Sequence, residues 1–381
     1  MTDRRNFQTT GRDENALLQE VISLINAQPD RSIIFRDYME LCLYHPEHGY
    51  YMQERRKIGK EGDFYTSSSI GTVMGDMLGD MYIRWAADYA DQEPLTLVEW
   101  GGGDGTLARH LLERVQLKQP SLYMRTELIM IEQSAYHRRL QRDQLAEHRV
   151  RWMDEREWHD LAPWRRVYLW ANELLDALPV HRVMMAEHGL REIAVTWDES
   201  SGQLKEVLRP LSADVQSYVD RHGIRLAEGQ ITEVNVAAER WIRQLGEHIA
   251  DGHVTLIDYG DEAAEIYAPH RMLGTLMCYR SHLASTDPYV HVGEQDITAH
   301  VDFTACRRAA EEAGFEDVRL ETQAAYLLRG GVLDWLQDNY DPDPFSPAAR
   351  RNRSIRQLLV SDQMSELFKV MTAVKREQRD G

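Results

Sequence analysis

Leu95-Thr-Leu-Val-Glu-Trp-Gly-Gly-Gly-Asp-Gly-Thr-Leu-Ala-Arg109 is the stretch whose reading decides the fold. Leu95 to Val98 is a short apolar, β-branched run and predicts a buried strand. Glycines at 101, 103 and 105 let the chain turn sharply and approach a ligand without Cβ atoms in the way. Leu107, Ala108, Leu111, Leu112 and Val115 then fall at helical spacing. Strand, glycine turn and helix start make a nucleotide-type cradle, with free N–H groups at the helix N-terminus. A phosphate-binding P-loop is excluded, because no Gly-Lys-Ser/Thr follows. A dinucleotide fingerprint wants its third glycine at 106, where Thr106 stands.

What remains is Glu99-x-Gly101-x-Gly103-x-Gly105, with an acid two residues before the first glycine. This pattern resembles the first motif of the class I S-adenosylmethionine (SAM) methyltransferases. A carboxylate there suits a ligand carrying an ammonium and a sulfonium, and would repel a pyrophosphate. The alternative is a glycine-rich turn with no ligand. Thr126-Glu-Leu-Ile-Met-Ile131 predicts the next strand, and Glu132 at its end is placed to bridge two ribose hydroxyls. That acid serves SAM and NAD equally; the cradle favours SAM.

The remaining composition narrows the class. With 381 residues, 43% hydrophobic and 28% charged, the chain is long enough for one large domain with additions, or two domains. A net charge of −18 argues against nucleic-acid or anionic-membrane binding and is compatible with a basic protein partner. Cys42, Cys278 and Cys306 are few and scattered, suggesting neither a disulfide framework nor a zinc site. The polar start, Met1 to Asn15, is unlike a secretory signal, and no run approaches a membrane span. The expectation is a cytoplasmic protein without a metal. His45 and His48 read as surface histidines of a loop.

Outward from the cradle, Leu17 to Ile25 and Ile33 to Leu43 predict amphipathic helices, and Val73 to Trp85 a third. Between them Gly59 to Ser69 is a glycine- and hydroxyl-rich loop that suits a ligand-facing lid. After the cradle, 149–153, 166–171 and 253–259 predict further strands of a mostly parallel sheet with covered faces. Ligands of such sheets lie at the carboxyl ends of the strands, so Glu99, Glu132, Asn172 and Asp258 should converge. Ile193–Trp197 and Ile231–Val236 predict an antiparallel insertion, at about 181–236. Ile355, Leu358, Leu359, Leu367, Phe368, Met371 and Val374 read as one helical stripe.

A second chemical signal is Ala171-Asn-Glu-Leu-Leu-Asp-Ala-Leu-Pro179. Glu173 and Asp176 are three apart and share a face if the segment is a helical turn. Such a pair can grip a planar guanidinium by charge-assisted hydrogen bonds. Alternatively, Asn172, Glu173 and Asp176 only cap the first turn of a helix.

Taken together, the chain resembles the MidA-type SAM-dependent methyltransferases, which include the mitochondrial complex I assembly arginine methyltransferase. The matching stretches are His45-Pro-Glu-His-Gly-Tyr-Tyr51, Gly62-Asp-Phe-Tyr-Thr-Ser67, Val98–Leu107, Asn172–Arg182, Ile257-Asp-Tyr-Gly260, Asp296–Phe303 and Met364–Val370, in family order over nearly the whole chain. The resemblance implies a Rossmann-like core with added N-terminal helices and a C-terminal helix, with SAM as methyl donor. It also implies a protein substrate, arginine in the mitochondrial member. By motif, Glu99, Gly101, Gly103, Gly105, Glu132 and Asn172 would hold SAM, and Gly62, Asp63, Thr66 and Ser67 would close over it. Glu173 and Asp176 would stand beside the acceptor as the catalytic pair. One departure is local: the mitochondrial pattern continues with Pro-Glu-Ile-Ser, and here Ser68-Ser-Ile-Gly71 follows. The implied division is a disordered arm over 1–13, a helical region with the covering loop over 14–90, the core over 91–330 and a helical segment over 331–381. Two rival readings are a SAM-binding assembly factor with little catalysis and, less favoured because of Thr106, an NAD-dependent oxidoreductase.

Overall fold

The computed structural model describes residues 13–55, 57, 71–338, 343, 345–360 and 366–377. The expected arm, apart from Asp13, and the expected lid residues Gly62, Asp63, Thr66 and Ser67 lie outside the described residues. The chain divides into two compact units, one of residues 56–178, 237–268 and 300–381, the other of 1–55, 179–236 and 269–299.

The first unit is built on the predicted strands, numbered here within the unit. They are β1 (Leu95–Trp100), β2 (Thr126–Ile131), β3 (Val150–Met153), β4 (Val167–Asn172) and β5 (Gly252–Asp261), followed by β6 (Glu316–Thr322) and β7 (Phe368–Lys375). Their order across the sheet is 3-2-1-4-5-7-6, and a two-residue strand, Val301–Asp302, pairs with the end of β5. Strands β1 to β5 are mutually parallel, while β7 runs antiparallel to both its neighbours. Alternate residues serve opposite faces. Leu95, Leu97, Leu128, Met130, Tyr168 and Trp170 pack with helices Val73–Ala86 and Thr106–Lys118. Val98, Ile129, Leu169, Leu256 and Met371 pack with helices Val236–His248 and Phe303–Glu312. Burial on both faces is the reason these strands read as near-continuous apolar runs.

β7 corrects the sequence reading. The stripe from Ile355 to Val374 is a helix only through Val360, and Phe368–Lys375 is a strand inside the central sheet. Its Val370, Thr372 and Val374 are β-branched and suit a pleated surface. Leu367, Met371 and Val374 fall at helical spacing by coincidence, because a strand covered on both faces is apolar at nearly every position.

The second unit is antiparallel, as expected. Gly189–Asp198 pairs with His181–Ala186 and Gln203–Arg209, and Ile231–Val234 extends the sheet beside His181–Ala186. The helix predicted from Ile33 instead begins at Phe35, because Ile33 and Ile34 pair with Val195 and Ala194 as an edge strand. A small sheet of Met277–Arg280, Leu283–Ser285 and Asp296–Thr298 completes the unit, together with helices Asp13–Ala27 and Ala213–His222.

Candidate functional site

The parallel strands end level with one another: Trp100 lies opposite Ile131 and Ala171, and Asn172 opposite Ile257. Glu99, Glu132, Asn172 and Asp258 therefore sit within three register positions of one another at the same edge, on four adjacent strands. The expected convergence is met at the carboxyl edge of the sheet.

The glycine turn leaves β1 with φ of 71°, 52° and 83° at Gly101, Gly103 and Gly105, a left-handed backbone that other L-residues adopt only at a cost. The Gly101 N–H donates to the Ile131 carbonyl at 2.9 Å, tying the turn to β2. Asp104 Oδ1 accepts the Thr106 N–H at 3.0 Å and opens the helix. Space is as tight as the backbone: a Cβ on Gly102 would lie 2.5 Å from Met130 Cε and 2.6 Å from Glu99 Oε2. One on Gly101 would lie 2.9 Å from Leu174 Cδ1.

Glu99 is 2% exposed. Its Oε1 accepts the Trp170 indole N–H at 3.0 Å, from the neighbouring strand, and its Oε2 has no partner. Burial pushes its carboxyl up to about 8, with Asp104 and Glu132 adding to the effect and Trp170 opposing it. Glu132 accepts the Ser134 N–H at 2.8 Å, and burial raises it to about 7 against that donor and the nearby Arg138. A buried carboxylate in this state regains its charge when a cation or hydroxyl donors arrive beside it. Next to the turn opens a cleft of about 410 Å³ lined by Asp104, Tyr136, His137, Leu140 and Lys57, among others. Lys57 is buried there with its ammonium 5.1 Å from the Tyr136 ring centre, and burial together with Lys57 lowers His137 to about 4.

The sequence reading missed Gln141. Fully buried, it donates from Nε2 to the Gly103 carbonyl at 2.9 Å and to Glu132 Oε2 at 3.4 Å, and its Oε1 accepts the Trp152 N–H at 3.0 Å. It thereby braces the turn against β2 and β3. Its only signal in the sequence is a polar residue on the inward face of a helix.

The acidic segment after β4 is not the helical turn the spacing suggested. Glu173 has φ of 53°, and no helix follows it, which removes both the shared-face geometry and the helix-capping alternative. One backbone bond and a third carboxylate shape the segment instead. The Glu173 N–H donates to the Ile257 carbonyl at 2.8 Å. Asp258 Oδ2 accepts the N–H groups of Leu174, Leu175 and Asp176 at 3.1, 2.8 and 3.3 Å, and its Oδ1 accepts that of Tyr259 at 2.9 Å. Glu173 stays half-buried, taking the Asn172 amide N–H at 3.1 Å. Asp176 is 4% exposed; the Tyr259 hydroxyl donates to its carboxylate, while Oδ1 has no partner. Burial pushes Asp176 up to about 6, and burial beside Asp176 and Glu173 raises Asp258 too. Two such neighbours hold one negative charge more readily than two.

These features fit a ligand with a cationic group and a vicinal diol: an orphaned carboxylate oxygen, a second buried carboxylate, and a turn that a Cβ would fill. The family model described as "Putative S-adenosyl-L-methionine-dependent methyltransferase" matches residues 77–319. The chain belongs to this family. Solved with S-adenosyl-homocysteine bound, a Burkholderia thailandensis protein is 31% identical and superposes with a TM-score of 0.84, over 96% of this chain and 94% of that one. The bovine mitochondrial protein arginine methyltransferase NDUFAF7 is 31% identical over 73% of this chain, and its Drosophila melanogaster homologue 29%. Both matches span 66% of the relatives' own length, just under two thirds. The fold is that of the class I methyltransferases, and the cofactor is SAM. Among the described residues, no group of three or more His, Cys, Asp or Glu is placed to hold a metal ion. His45 is engaged with Glu20 at 2.8 Å. No helix among the described residues is long and apolar enough to cross a membrane.

Proposed function

We propose that this methyltransferase methylates arginine side chains of a protein substrate. The observation that carries the reading is the gathering of Glu173, Asp176 and Asp258 at the ends of β4 and β5, on the same sheet edge as the glycine turn. Three carboxyls in one buried place are costly unless a cation joins them. A guanidinium answers that need with several N–H donors in a fixed plane. The name of the bovine relative points the same way.

When bound, SAM supplies an electrophilic sulfonium methyl group. The chain's own residues do the rest. In this reading Glu99 faces the cationic end of the cofactor, and Glu132 accepts its ribose hydroxyls. Gly101, Gly103 and Gly105 keep the path clear, and Asn172 fixes Glu173. Glu173 and Asp176 grip the guanidinium and draw its charge away from the attacking nitrogen, an effect that grows toward the transition state. Cys42, Cys278 and Cys306, all buried free thiols, suit a reducing compartment such as the cytoplasm.

Incubating the full chain with methyl-labelled SAM and an arginyl peptide library tests the proposal. Methylarginine in the hydrolysate is expected. SAM binding without label on any peptide would leave the assembly-factor reading in its place.

A further inference from the structure

Asp258 and Tyr259 lie some eighty residues from the acidic segment in the chain, yet the hydrogen bonds that hold its backbone from Glu173 to Asp176 go to the end of β5. Three consecutive amides, Leu174 to Asp176, converge on one oxygen of Asp258, a nest that fixes the backbone from which the Asp176 side chain departs. The next residue, Tyr259, reaches that side chain with its hydroxyl. The Tyr259 ring is itself held, edge-on to His300 at 5.6 Å and to Phe368 at 5.7 Å between ring centres. One carboxylate thus positions the main chain and one phenol the side chain. Asp176 Oδ1 is left as a buried oxygen without a partner.

We propose that Asp258 and Tyr259 are positioning residues that aim Asp176, and that Asp176 Oδ1 accepts the proton released by the methylated nitrogen. The inference rests on the guanidinium reading above. As the nitrogen gains the methyl carbon, the S–C bond of the sulfonium donor breaks with its electron pair left on sulfur, and one of the nitrogen's N–H bonds breaks. The bonding pair stays on nitrogen, the proton forms an O–H bond at Asp176 Oδ1, and the guanidinium leaves with the single charge it brought. The proton then passes to solvent as the product departs. An acceptor of this kind must be ionised beforehand. The groups facing it set that condition: Glu173 on its own segment, Asp258 and Tyr259 on β5, His300 behind Tyr259, and Cys306 of helix Phe303–Glu312 behind Asp258. Burial raises Asp176, and the Tyr259 hydroxyl lowers it.

Tyr259→Phe keeps the ring and removes only the hydroxyl. In full-length protein labelled with ¹³C at the aspartate carboxyls, the Asp176 signal is identified by its loss in Asp176→Asn. The expected result is a titration midpoint raised by roughly one pH unit in Tyr259→Phe, with the acid limb of kcat for methyl transfer to an arginyl peptide moving by the same amount. SAM affinity should be unchanged. Tyr259→Leu, which also removes the ring, should unsettle the segment as well, and a lowered melting temperature there sets the baseline for a purely structural role. An unmoved Asp176 titration in a folded Tyr259→Phe protein overturns the positioning role, whatever the substrate. A moved titration with a stationary kcat limb overturns proton acceptance at Asp176. No methyl transfer to arginyl peptides by the unmodified chain overturns the guanidinium reading itself.

Discussion

The glycine turn after β1 and the acidic segment after β4 are made of the same materials, left-handed backbone and buried carboxyls at strand ends, and use them in opposite ways. In the turn, positive φ falls on Gly101, Gly103 and Gly105, so the bend is nearly free of strain. In the segment it falls on Glu173, at a cost of about 1–2 kcal/mol that the surrounding contacts must hold in place. The cradle keeps spare acceptor capacity in Glu99, whose second oxygen has no partner. Asp258, by contrast, is saturated by four amides. A turn that must admit a ligand removes side chains and leaves charge waiting. A segment that must aim one carboxyl commits its amides to another.

If this contrast is real, changes in the segment should act on turnover and changes in the cradle on affinity. The largest effect is expected for Asp176→Asn, and similarly for Glu173→Gln: a fall in kcat of about 10²-fold or more with SAM affinity nearly intact. The double variant should be little worse than either single one, as for groups acting as a unit. Steady-state kinetics and calorimetry on the same preparations decide it. Normal turnover with only a lowered melting temperature would reduce the segment to architecture. Glu132→Ala should do the converse, weakening SAM by roughly 1.5–3 kcal/mol while sparing kcat at saturation. The check is a 2′-deoxy analogue, which should lose much less affinity against this variant than against the parent.

Gly101→Ala probes the seam between the two regions, since its Cβ would press on Leu174 of the acidic segment at 2.9 Å. Positive φ alone should lower stability by about 1–2 kcal/mol, read by urea titration. The displaced Leu174 should also lower kcat, so a cradle mutation here would act on turnover. Unchanged kcat in this variant would mean the two regions are mechanically independent.

The cradle was legible in the sequence because its determinants are local: an apolar run, glycines at fixed offsets, and an acid at each strand end. The acidic segment was only half legible. The residues Glu173 and Asp176 stand out, but their geometry is dictated by Asp258 and Tyr259, and a three-residue spacing carries no information about partners so far along the chain. The strand Phe368–Lys375 failed for a different reason, since its helical spacing is a by-product of burial on both faces. The Ile257–Gly260 stretch was visible as a family motif, but its function is defined only by what it touches.

The finest test concerns Glu99, where the cradle's waiting charge becomes a pH dependence. Its carboxyl is raised from its ordinary value to about 8 in the folded, cofactor-free chain. A raised carboxyl favours folding while protonated. That contribution is present below the unfolded value near 4.5 and is lost as pH rises through about 8. Glu99→Gln, which keeps an acceptor for Trp170 and cannot ionise, should therefore gain stability relative to the parent as pH climbs from 5 to 9. Cofactor binding should run the other way. A cation beside Glu99 favours its ionised form, so below pH 8 binding must release a proton, and affinity should rise by up to about tenfold per pH unit between 6 and 8. Glu132, raised to about 7, titrates within the same window, so the comparison is made in Glu132→Ala, where the slope above pH 7 belongs to Glu99. Calorimetry in buffers of different ionisation enthalpy counts the proton directly, and S-adenosyl-homocysteine, which lacks the sulfonium but keeps the ammonium, identifies which charge is sensed. Equal slopes for both ligands would place Glu99 against the ammonium, and a slope for SAM alone would place it against the sulfonium. A flat profile for both would mean that Glu99 never meets a cation and that its orphan oxygen serves the turn alone.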